Sequence, residues 1–178
     1  EKKIPKADFV SQGFQVQQAL NIANIIKKSN KNFAKVTKAV TARKAEIDGW
    51  VVESAAAAKA TPKSTGLAAE ANAHKEWSRN YAEALNKLKT VETCDEDPIC
   101  WGKQLDGKDI AIRMLAGYRL ANSPSRDTAL KGLTKHIGDP DMSVRNVILF
   151  GLDRLADHTL LPELRKAKAA DEIKAKKN

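Results

Sequence analysis

Aromatic residues make up only 5% of this chain, and its 178 positions hold nine glycines, six prolines and two cysteines. Scarce glycine and proline leave few places where a helix has to stop. Two cysteines with no histidine nearby cannot fill the four positions of a structural zinc site. No window approaches eighteen uncharged apolar residues, so no segment reads as a membrane span. A phosphate-binding glycine loop, a nucleophile elbow and a metalloprotease motif are all missing. The reading that follows is of a protein that is not an enzyme, with no catalytic residue, cofactor, metal or small-molecule substrate assigned.

The remaining titratable residues fit that reading. His74, His136 and His158 are far apart, and none stands three or four positions from another. His74 falls on an apolar seam as a packing residue, while His136 and His158 sit near helix C-termini, where an imidazolium suits the dipole. The acidic run Asp95-Glu96-Asp97 lacks the alternating oxygen-ligand spacing of a calcium loop. It reads instead as the acidic start of a helix beginning near Pro98.

What the chain does have is alanine and lysine, both favourable in helices, and enough length for one or two compact domains. Its net charge is +9, unevenly placed. Residues 1–92 carry 16 basic against 9 acidic side chains, whereas residues 94–165 carry 10 against 11. A basic first half and tail attract phosphate, anionic lipid or acidic protein alike. The first residue is Glu1 and not methionine, so either a leader has been removed or the sequence begins part-way.

Heptad spacing organises the first half. Ile26, Phe33, Val40 and Ile47 recur every seven positions, with Ile22, Val36 and Trp50 on the interleaved seam. The polar stretch 28–32 predicts a break near residue 30. After the turn at 61–66, Leu67, His74, Tyr81 and Leu88 form a second stripe, and Trp77, Ala84 and Val91 a third. Folding the chain at 63–64 pairs positions whose numbers sum to about 127, so that Trp50 faces Trp77 and Ile47 lies near Tyr81. The expectation is a long antiparallel helical hairpin over 1–92, with residues 7–30 either extending the first helix or folding back as a third.

The second half has shorter helices and an internal repeat. Ile112, Arg113, Tyr118 and Leu120 match Val144, Arg145, Phe150 and Leu152 at a constant offset of 32, a period typical of stacked helical hairpins. The turn Gly138-Asp139-Pro140-Asp141 and the helix from Val144-Arg145 to Leu155, preceded by Thr128–Ile137, resemble the HEAT-repeat family. The resemblance covers roughly residues 94–168. It implies an all-α chain in which the hairpin is followed by a short α-solenoid of about two repeats, with a basic tail at 169–178. It also implies that Arg113 and Arg145 stabilise the repeats, and that the surface serves protein partners.

Some exported bacterial proteins of this type carry a similar paired-cysteine segment. The resemblance therefore implies a disulfide between Cys94 and Cys100, fixing the junction of hairpin and solenoid in an oxidising compartment such as the periplasm. Two unrelated thiols in a cytoplasmic protein are the alternative. Trp101 reads as sealing the first repeat, or as a partner anchor; Lys131, Lys135 and Arg165 are the other candidate contacts. The expected function is that of a structural or adaptor subunit in an exported assembly. Nucleic-acid binding through the basic hairpin is the second reading, and a HEAT-like DNA glycosylase, which would need more repeats, a distant third.

Overall fold

The computed structural model describes residues 6–155 together with Pro162, Arg165 and Ala169. His158, the end of the second repeat and the basic tail lie outside the described residues, apart from those three positions. The described residues form an all-α fold of seven helices with no strand. They divide into two compact units, Glu1–Asp95 and Glu96–Asn178.

The first unit contains α1 (Lys6–Ile25), α2 (Phe33–Ala60) and α3 (Thr65–Cys94). Apolar residues give out at 27–32, and there Asn30 turns the chain: its side-chain oxygen accepts from the Asn32 amide at 2.9 Å, and its carbonyl from the Phe33 amide at 2.8 Å. Pro62 cannot continue α2, and Ser64 caps α3 by accepting from the Leu67 amide at 3.3 Å. The buried residues of α2 are Phe33, Val40, Ile47 and Ser54, a strict seven-residue stripe. It packs on the α3 stripe that includes His74, Tyr81 and Leu88.

Polar bonds across this pair report its register. His74 Nδ1 lies 3.1 Å from Ser54 Oγ, and Ser78 donates to Asp48 at 2.6 Å. These positions sum to 128 and 126, as the two stripes require. The His74 ring packs on both tryptophans of the pair, 5.6 Å from Trp50 and 5.4 Å from Trp77.

Residues 7–30 take the second of their two expected courses. Helix α1 ends at Ile25 and packs on α3, using Val16, Ala19, Ala23 and the following Ile26. Arg43 of α2 donates to Gln12, which ties the folded-back helix to α2 as well. The unit is therefore three helices, with α1 and α2 both packed on α3.

The second unit contains α4 (Pro98–Gln104), α5 (Ile110–Ala121), α6 (Arg126–Lys135) and α7 (Met142–Leu155). Aspartates start three of these helices: Asp97 accepts from the Ile99 amide, Asp109 from Ala111 and Ile112, and Asp141 from Ser143 and Val144. Helix α5 packs beside α7 and α4 beside α6, in two layers. Positions 32 apart are equivalent on α5 and α7: Ile112 and Val144 are buried, as are Leu120 and Leu152, while Tyr118 and Phe150 are exposed. The layers meet closely at Gly151, where an added Cβ would come within 2.9 Å of a Leu133 methyl and 3.1 Å of the Ala121 Cβ.

Candidate functional site

Arg113 and Arg145 converge on one turn. Arg113 is buried, and its Nη1 donates to the carbonyls of Gly107 and Lys108 at 3.0 and 3.2 Å. Its Nη2 donates to Asp139 Oδ1 at 3.1 Å, and its Nε lies 3.0 Å from Oδ2, so the guanidinium fork meets a carboxylate that is itself buried. Asp139 also accepts from the Asp141 amide at 2.8 Å. Arg145 reaches the same turn by its main chain, donating to the carbonyls of Asp139 and Pro140 at 2.8 and 3.1 Å. Both arginines thus hold loops in place inside the second unit. Asp141 caps α7, and Asp139 is the counter-ion of Arg113.

Cys94 and Cys100 are paired as a disulfide, with no free cysteine in the chain. The loop they close begins at Asp95, whose φ of 48° is the one positive value among the described non-glycine residues. That conformation is uncomfortable for a residue with a Cβ. Holding ends together over so short a loop is worth about 2 kcal/mol on a chain-entropy argument.

The candidate contact residues separate. Trp101 is only 2% exposed, with the Arg119 guanidinium 5.7 Å from its ring centre. It belongs to the core of the second unit. Lys131 and Arg165 are exposed. Lys135 is exposed too, but its ammonium lies 3.0 Å from Asp106, which His136 Nε2 approaches at the same distance. These two partners, His136 first, hold the Asp106 carboxyl below its ordinary range.

A different surface does stand out. Ile110 and Tyr118 on α5, and Met142 and Phe150 on α7, are 46%, 53%, 65% and 46% exposed. Tyr118 and Phe150 stack with ring centres 5.9 Å apart and planes 23° off parallel. The sequence held the signal: each pair is 32 apart, and within each helix the two residues are eight apart, on one face. In the sequence Tyr118 and Phe150 mark the repeat, and the pattern alone does not say which stripe faces water. Among the described residues no group of three or more His, Cys, Asp or Glu side chains could hold a metal ion, and no helix is long and apolar enough to cross a membrane. Compared with protein-family models, with curated proteins and with solved structures, the chain matches none.

Proposed function

We propose that this chain is a non-catalytic structural or adaptor protein, and that the α5/α7 face of a HEAT-like second unit docks a partner protein. The observation that carries the reading is the exposed apolar quartet Ile110, Tyr118, Met142 and Phe150, with two of its members stacked in the open. Exposed aromatic and methionine side chains with few charges among them are the composition of an interface centre. Capture from a native extract tests it. The wild-type chain is expected to retain a stoichiometric protein partner that the Tyr118→Lys/Phe150→Lys variant loses at unchanged melting temperature. Equal capture by both, or none by either, would remove the reading.

An exported location is supported by the paired cysteines, since disulfides persist in oxidising compartments. Protein purified from its native source is expected to weigh two daltons less before reduction than after it. Free thiols in that material would return the protein to the cytoplasm. There, the basic first half, with 16 basic against 9 acidic residues over 1–92, would favour the nucleic-acid reading. Duplex binding that falls steeply with added salt would support it.

A further inference from the structure

Helix α1 carries two seams. One, through Val16, Ala19 and Ala23, is buried on α3. The other runs through Phe14, Gln18, Asn21 and Ile25, at spacings of four, three and four, about 200° around the helix from the first. All four are exposed, Phe14 by 65% and Ile25 by 73%. Two heptad seams on one helix are the pattern of a helix with partners on both sides.

Charge says which partner suits the open seam. Residues 9–26 contain no charged side chain, in a chain that is 30% charged. The outer faces of α2 and α3 carry exposed charges of both signs, among them Lys35, Lys38 and Arg79 with Glu46, Glu53 and Glu76. Two copies approaching through α2 or α3 would have to match or desolvate those charges. Through residues 9–26 of α1 they would not.

The pattern is also self-complementary. Apolar, amide, amide, apolar reads the same from either end, so a two-fold axis between residues 19 and 20 sets Phe14 against Ile25 of a second copy and Gln18 against its Asn21. A two-fold interface needs this reciprocity. At the Ile25 end, moreover, an open cleft of ≈ 470 Å³ is lined by Ile22, Ile25, Ile26 and Val36 together with the polar Lys27, Ser29, Asn30 and Asn32. It lies where the second copy's Phe14 arrives. We infer that the first unit pairs with a second copy of itself through antiparallel α1 helices, each Phe14 seated in the other copy's Ile22–Val36 cleft.

The seam is a single helix face about 30 Å long, which places the pair below the roughly 1,200 Å² of stable complexes. The dimer is therefore reversible, with a dissociation constant in the micromolar range. Sedimentation of the full chain over about two decades of concentration around that range reads it directly. Phe14→Glu and Ile25→Lys are each expected to raise the dissociation constant at least about tenfold. Combined in one chain they are expected to restore pairing, because the antiparallel register sets the two new charges opposite each other. As a second route, Phe14→Cys protein mixed with Ile25→Cys protein should cross-link on mild oxidation. Phe14→Cys alone should not, its two sites being about 16 Å apart along the axis. A monomer at every concentration, a dimer indifferent to both single changes, or a double variant no better than the singles would overturn the inference. So would cross-linking of the Phe14→Cys protein with itself.

Discussion

Replacing Arg113 by alanine is expected to cost the second unit about 3–5 kcal/mol, the range for removing one partner of a buried ion pair. The change strands the Asp139 carboxylate, whose side chain is 4% exposed. It also strips two loop carbonyls, Gly107 and Lys108, of their donor. The effect belongs to the unpaired charge rather than to the pair's own strength. The double variant Arg113→Met/Asp139→Leu should therefore recover most of the loss, since an apolar pair of similar bulk often replaces a buried ion pair at little cost. Arg145→Ala removes the donor to the carbonyls of Asp139 and Pro140, and about 1–2 kcal/mol is expected. Urea unfolding followed by circular dichroism separates the three. A cost for Arg113→Ala within about 1 kcal/mol of zero would show that water reaches Asp139 and that the bridge does not hold the repeats together.

Trp101→Ala is expected to cost a comparable amount, about 3–5 kcal/mol, from the lost transfer energy of the indole and the cavity it leaves. The indole fills space within the second unit at 2% exposure, so Trp101→Phe should cost clearly less. The same measurement arbitrates between the two roles the residue offered as a sequence position. A partner anchor would lose binding at full stability when truncated; a core residue loses stability first. Thermal unfolding of the free chain and the capture assay, run on the same variant, give opposite results for the two roles.

The all-helical fold, the α2/α3 pairing and the acidic helix start at Asp97 could all be read from residue order. Each rests on a local rule. A seven-residue period fixes which side of a helix is apolar, a proline or a short polar stretch ends it, and an aspartate beside free amides begins it. Two stripes joined by one turn then have a single register in which they meet, which is why Ser54 with His74 and Asp48 with Ser78 fall where the spacing put them.

Three features could not be read this way. The course of residues 7–30 stayed open because α1 bears two seams, and either a straight or a folded-back helix buries one of them. Only the packing of Val16, Ala19 and Ala23 on α3 decided it. Arg113 stood out in the sequence through the 32-residue repeat, but its counter-ion Asp139 lies 26 positions away, and nothing in the residue order pairs the two. Tyr118, Phe150 and Trp101 are all large and apolar, and their types predict burial equally. Trp101 lies in the core while the other two face solvent. Residue order thus determined which residues could share a face, through periods that extend only along one helix. Which of those faces is covered depends on a neighbour brought in from elsewhere in the chain, and that was decided by tertiary packing alone.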